Sequence, residues 1–324
     1  MAENLQKNYF SVAFYNVENF FDPDCHEFTL DKDYTPEGKF QWNEQRYRIK
    51  QQHIALTISQ IGSEMNAAPP VFLGLAEIEN KKVLSDLVSS EHLLAYKYDF
   101  VHHESPDLRG VDVAFIYQKR LFQLIYSKPY SLFLYDHQNS RDFTRDILLV
   151  CGNCFGSRVY VIINHWPSRS DGKNSTEEKR IKAAKTVLEI ISEIKKETPE
   201  PVIFIIGDFN DNPKNKSIKN LLLSEDLVNL MTELEENGKG SLIHLGKWHL
   251  FDQLILSKNL FEGEKIRFES ARIFNPISLQ DKFGRHKGPL RTFAGRRYIG
   301  GYSDHFPVYA YFSVQLDHHQ EINS

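Results

Sequence analysis

The sequence predicts one α/β domain, a layered sandwich whose strands run from end to end of the chain and are covered on both faces. Three observations predict it. Short apolar runs rich in Val, Ile, Phe and Tyr recur over the whole length. Helical periodicity appears between some of them. No internal repeat, low-complexity tract or Pro/Gly/Ser linker divides the chain, so 324 residues are read as a single domain spanning 1–324.

The strand candidates are Phe10–Tyr15, Val71–Ala76, Val111–Tyr117, Val159–Ile163, Val202–Ile206, Phe251–Leu256 and Pro307–Phe312. Their shortness, β-branched and aromatic content and polar flanks favour strands over buried helices. Runs that are apolar at successive positions need cover on each side. Asn43 opens a helix that places Ile54, Ile58 and Ile61 on one face and meets a stop at Gly62. A second helix starts at Ser175, where Ser175 and Glu178 resemble a capping box. It sets Ile181, Ala184, Leu188 and Ile191 on one stripe and ends before Pro199. A third is expected over Ile218–Leu223, and Cys25–Phe40 is the candidate insertion loop.

Bulk properties limit the function less than the fold. With 41% hydrophobic and 25% charged residues the chain is ordinary for a globular protein. A net charge of −4 gives no global attraction to nucleic acid or an anionic membrane, although a local cationic cluster can outweigh it. The 3 cysteines, Cys25, Cys151 and Cys154, form no disulfide framework. Cys151 and Cys154 make a C-x-x-C without a second pair, read as a strand–turn–strand connection rather than a redox or zinc site. No run of about 18 apolar residues occurs, and the N-terminus has no leader pattern. A cytoplasmic monomer without an obligate protein partner is expected; a secreted or periplasmic setting follows instead if a leader has been removed.

What distinguishes this chain is the placement of its polar residues. Phe10–Tyr15 runs into Asn16 and Glu18, and Val71–Ala76 ends on Glu77. Val159–Ile163 ends on Asn164, His165, Ser168 and Arg169, and Val202–Ile206 ends on Asp208 and Asn210. Ser303, Asp304 and His305 precede the last strand. An unpaired buried carboxylate costs several kcal/mol, so carboxylates abutting apolar strands must be paired, metal-bound or at an edge. Each alone could be a turn residue; a whole set supplying Glu, Asp, Asn and His points to a site. Oxygen ligands with few cysteines suit Mg²⁺ or Mn²⁺ rather than zinc.

The strings N-V-E-N-F-F-D, L-A-E-I-E-N, R-G-V-D-V-A, N-H-W-P-S-R, G-D-F-N-D-N-P, F-D-Q-L-I-L-S and G-Y-S-D-H-F-P-V together resemble the endonuclease/exonuclease/phosphatase superfamily, in its order and over nearly the whole chain. G-D-F-N with S-D-H-F-P-V is specific as a pair, whereas L-A-E is weak alone. The resemblance implies a four-layer, deoxyribonuclease I-like sandwich of two packed mixed sheets flanked by helices. It implies a metal group of Glu77, Asn16, Asp304 and Glu18, Glu18 being the least regular of them across the family.

The same resemblance assigns Asp208 to activating the attacking water, with Asn210 beside it if the strand continues with period two. His305 is implied as the catalytic imidazole, oriented by Asp252. His165 is implied at the phosphate, where it could protonate the leaving oxygen. Asn164, Ser168, Arg169 and Arg109 are implied as substrate contacts; for Arg109 an internal ion pair with Asp107 or Asp112 is the alternative. The implied activity is Mg²⁺-dependent phosphodiester hydrolysis of nucleic acid, DNA more than RNA. A phosphatase or phospholipase acting on inositol phosphates or sphingomyelin is the alternative, and an inactive binding module a remote one. Basic residues near the expected mouth (Arg169, Lys173, Lys214 and Lys216, with the most concentrated stretch at Gly284–Arg297) suit a polyanion, and Phe293 or Tyr298 could stack on a base or sugar.

Overall fold

Runs apolar at every position demand two-sided cover, and the computed structural model supplies it with two six-stranded sheets packed face to face, each backed by helices. Residues 8–315 are described, except 25–31, 66–67, 136–137, 139, 170–172, 223–225 and 285. Cys25, Leu223 and Arg285 therefore lie outside the described residues, as do the side chains of Lys173 and Ser175.

Twelve strands form the two large sheets, and the helices fall between them. The strands are β1 (Asn8–Phe20), β2 (Phe72–Ile78), β3 (Tyr98–His102), β4 (Asp112–Gln118), β5 (Phe122–Tyr130), β6 (Ile147–Cys154), β7 (Ser157–His165), β8 (Val202–Asp208), β9 (Leu227–Asn229), β10 (Asp252–Ser257), β11 (Ile266–Ile273) and β12 (Val308–Val314). One sheet has the order β11-β12-β1-β2-β4-β3, the other β9-β10-β8-β7-β6-β5. The main helices are α1 (Glu44–Gln60), α2 (Lys81–Val88) and α3 (Lys173–Glu197). No helix among the described residues is long and apolar enough to cross a membrane.

Side chains alternate along a strand, which sorts the apolar residues into layers. Phe10, Val12 and Phe14 of β1 meet Val161, Ile163, Phe204 and Ile206 between the sheets. Ala13 and Tyr15 face outward with Leu73 and Leu75 onto Ile54, Ile58, Val83 and Leu87 of α1 and α2. On the far side Tyr160, Ile162, Ile203 and Ile205 pack on Ala184, Val187, Ile191 and Ile194 of α3.

Local expectations fare unevenly. The Asn43 side chain caps α1 by accepting from Arg46 N, and Ile54, Ile58 and Ile61 are buried. The second helix begins at Lys173, so Ser175 lies inside it and not at its cap. Ile181 and Leu188 flank its buried stripe rather than centring it. The third expected helix is a π-type turn over Ser217–Leu222. Cys151 and Cys154 sit in a hairpin whose turn, Phe155–Gly156, has φ of 48° and 73°. Their spacing of three puts Cys151 against α3 and Cys154 between the sheets, so the two thiols cannot pair.

Candidate active site

Strand direction brings the polar strand ends together. β1 and β2 are parallel, and β12 runs antiparallel to β1, so the end of β1, the end of β2 and the approach to β12 share one edge. In the second sheet β7 and β8 are parallel and β10 antiparallel to β8, which pairs Asp208 with His165 on one side and Asp252 on the other. Gly207 permits this close pairing, because a Cβ there would lie 2.4 Å from Asn164 O.

Asp208 is the hub. Its Oδ2 accepts from Asn16 Nδ2 at 3.0 Å and lies 3.8 Å from His165 Nε2 and 3.9 Å from His305 Nε2. Its Oδ1 accepts from the Asn210 backbone N–H at 2.9 Å. Burial, with Asp252 adding to it, pushes its carboxyl up to about 6 against the pull of His305 and these hydrogen bonds. Asn16 thus steadies Asp208 through its amide. Asn210 reaches Asp208 differently from the expectation: the strand stops at Asp208, Asn210 takes φ 49°, and its Nδ2 donates to Trp166 O.

The two histidines are opposites. His305 Nδ1 lies 2.7 Å from Asp252 Oδ2, which also accepts from Ser241 Oγ. Burial alone would lower the His305 pKa; Asp252, Asp208 and Asp304 outweigh it and raise it well above the usual value, which favours the cation. His165 Nε2 lies 3.3 Å from Arg145 Nη2, and Arg145 is itself paired with Asp107 at 2.8 Å. Burial and then Arg145 hold His165 well below its usual pKa. A neutral imidazole keeps one N–H but is a far weaker acid than the cation, so His165 is less suited than His305 to hand a proton to a leaving oxygen.

Glu77 owes its position to backbone strain at the end of β2. It adopts φ 66° at a register shift between Ala76 and Ile78, a local bulge of the kind that re-aims a side chain. Its carboxylate accepts from Asn19 N at 2.7 Å and faces Arg109 Nη2 at 3.5 Å. Burial would raise its pKa, but Arg109 and the Asn19 N–H prevail and hold it below the ordinary carboxylate range. The ion pair foreseen for Arg109 therefore forms with Glu77 and not with Asp107 or Asp112. Asp304 is half-exposed and paired with Arg291 at 3.1 Å.

Glu18 faces a cation the sequence reading missed. Lys50, fully buried in α1, lies 3.6 Å from Glu18 Oε2 and donates to Thr292 Oγ1 and Tyr302 O. Burial, then Asp304, push the Glu18 carboxyl up to about 7 despite Lys50. A lysine on the Tyr47–Ile54–Ile58 stripe was the available signal. Arg145 and Ser241 were also missed; Ser303, named before the last strand without a role, donates its Oγ–H to Asn16 O at 2.6 Å and accepts from His305 N, clamping the two strand ends together.

The expected substrate contacts divide. Arg109 stands at the mouth and Ser168 is partly exposed. Asn164 is wholly buried, donating to Ile162 O and Ile206 O and accepting from Trp166 Nε1, so it braces the loop and touches no solvent. Arg169 binds Asp211 at 2.7 Å and Asn210 O at 2.9 Å and tethers the loop after β8.

The donor set fits a hard divalent cation. Crowded carboxylates that raise one another's pKa, as Asp304 does for Glu18, gain from a positive charge among them. Asp208, Asp252 and His305 also bring donor atoms within 4.8 Å of one another. Because His305 Nδ1 already bonds Asp252, that trio is an orienting network rather than a cation cage.

A sandwich of two mixed sheets with this acid, amide and imidazole cluster at one edge defines a phosphoester hydrolase of the deoxyribonuclease I-like class. Residues 11–314 match the Endonuclease/Exonuclease/phosphatase family, and the chain belongs to it. No curated protein matched in sequence. Similar solved structures include an endonuclease/exonuclease/phosphatase family protein from Bacteroides thetaiotaomicron, at TM-score 0.58 and 16% identity over 96% of this chain and 100% of that one. D. rerio TDP2 complexed with single strand DNA product has TM-score 0.56 and 15% identity over 94% and 98%. The mannosyl-6-phosphatase Bt3783 of Bacteroides thetaiotaomicron has TM-score 0.57 and 15% identity over 94% and 99%. At such identity the likeness is one of fold.

Proposed function

We propose that the chain is a Mg²⁺-dependent phosphodiester hydrolase acting on nucleic acid. The observation that carries the reading is the convergence of His165 and His305 on one oxygen of Asp208, at 3.8 and 3.9 Å. A carboxylate pushed up to about 6 is a competent base near neutral pH, and it would take the proton of the attacking water. Asn16 and the Asn210 N–H hold that carboxylate in place. The His305 cation, kept upright by Asp252, would donate to a phosphate oxygen where negative charge grows. Neutral His165 would accept the Arg145 N–H at its Nε2 and so anchor that guanidinium at the edge.

Glu77 and Asp304 are the carboxylates offered to Mg²⁺ (or Mn²⁺), with Glu18 behind them against Lys50. When bound, the ion supplies charge neutralisation at a phosphate oxygen. Basic side chains Arg291, Arg296 and Arg297 on the neighbouring loop suit a polyanion, and the likeness to a TDP2 complexed with DNA product agrees with such a substrate. The test is a hydrolysis screen with Mg²⁺ against single-stranded and duplex DNA, mannose 6-phosphate, inositol polyphosphates and sphingomyelin. Cleavage of DNA, abolished by chelation, is expected. Turnover of monoesters or lipid without DNA cleavage would replace this reading.

A further inference from the structure

Beside the catalytic edge, with Glu18 and Arg291 in its lining, lies a cavity of about 190 Å³. We propose that it is the seat of a nucleobase flanking the scissile phosphate, an inference that rests on reading the chain as a nucleic-acid hydrolase.

Its apolar walls are the rings of Tyr34, Phe40 and Phe293. They meet as an open corner: Tyr34 and Phe40 are 4.7 Å apart between centroids, and Phe40 and Phe293 are 4.8 Å apart at 50°. Phe293 is buried and braced by Trp42 and Tyr298 behind it, so the corner is preformed. Rings already held in place lose little conformational freedom when a second planar group stacks on them.

The polar side of the same cavity is the end of β1. Glu18 and Asn19 line it, and each is tied to the catalytic edge. Asn19 donates its backbone N–H to Glu77, and Glu18 stands two residues past Asn16. An occupant is thereby placed next to the phosphate. The Thr292 N–H and the Lys50 ammonium both contact Glu18 Oε2 and hold this carboxylate in the cavity wall.

Size and lining select among occupants. The cavity is smaller than the roughly 300–1,000 Å³ that holds drug-sized ligands, which suits one ring system. A hexose would need hydrogen-bonding partners around its rim, whereas three rings take up much of this lining and leave Glu18, Asn19, Arg291 and Thr292 as its polar part. A flat base with N–H groups on one edge and two π faces matches both parts of that lining.

Calorimetric titration with adenosine 5′-monophosphate, ribose 5-phosphate and mannose 6-phosphate tests this, with Ca²⁺ present to limit turnover. The nucleotide should bind roughly tenfold tighter than ribose 5-phosphate, the usual scale of one stacked base. In Phe293→Ala and Phe40→Ala that ratio should fall toward one while ribose 5-phosphate affinity holds. Equal affinity for all three ligands, or tighter binding of mannose 6-phosphate, would overturn the base pocket. So would a parallel loss of both ligands in both variants, which would make the rings mere bracing. Because the titration reads binding, DNA hydrolysis can fail in its own screen while the pocket stands, and the pocket can fail while hydrolysis stands.

Discussion

His165 and His305 turn their Nε2 atoms to the same oxygen, Oδ2 of Asp208, from 3.8 and 3.9 Å, yet their surroundings shift their pKa values in opposite directions. Burial disfavours the cation at both. At His165 the Arg145 guanidinium adds to burial, whereas at His305 three carboxylates overturn it. Two chemically identical rings thereby receive different tasks from their environments.

Asp252→Asn tests the charged member. Removing the carboxylate lowers the His305 pKa, so the cation is lost at lower pH and the basic limb of the rate profile should move to lower pH. In Ser-His-Asp triads the corresponding change costs roughly 10⁴-fold. About 10²-fold is expected here, since a bound cation carries part of the charge stabilisation. Superimposable pH–rate profiles of the two proteins would make Asp252 a strand-end carboxylate without part in the chemistry.

Glu77→Gln should raise the Mg²⁺ concentration needed for half-maximal rate by at least about tenfold, because a ligand charge is lost. Thermal stability should change little, for the side chain's partners are one backbone N–H and a half-exposed arginine. An unchanged metal titration with a lower Tm would show that Glu77 is structural.

Stability should respond to Mg²⁺ and pH together. Asp208 and Glu18 are acids whose folded pKa values are raised, to about 6 and about 7. Their protonated forms favour the folded state at low pH, and that contribution is lost as pH rises through those values. A cation among the ionised carboxylates offsets the loss, so the Tm gain on adding Mg²⁺ should be larger at pH 8 than at pH 5. An equal gain at both, read by differential scanning fluorimetry, would place the ion elsewhere.

Arg145→Ala should destabilise by about 3–5 kcal/mol, because it strands Asp107 as an unpaired buried charge. Urea denaturation at neutral pH measures this. A loss under about 1 kcal/mol would mean that water reaches Asp107 and that the pair is solvated.

How much of this was legible in the residues themselves differs by level. The strands, the double cover and the Asn43 cap were legible because apolar runs and caps are local signals. The ends of those strands named Asp208, Glu77 and His305 for the same reason, while Asp252 was named only by the family resemblance. The backbone turns were not legible: Asn210 leaves the strand and Glu77 sits in a bulge, and both depend on neighbours that arrive from other strands.

The sequence by itself determined which side chains stand at strand ends and that a hard-oxygen, imidazole-bearing set belongs there, since burial of polar groups beside apolar runs is a property of adjacent residues. Tertiary structure decided what each one does. It set Arg145 on His165 and Asp252 on His305, across sequence separations of 20 and 53 residues. It also turned Arg169 and Asn164 into braces of the loops and put Lys50 behind Glu18. Charge and exposure are set by whichever groups the fold brings within a few ångströms, and Coulomb energy and desolvation depend on that distance and not on place in the chain.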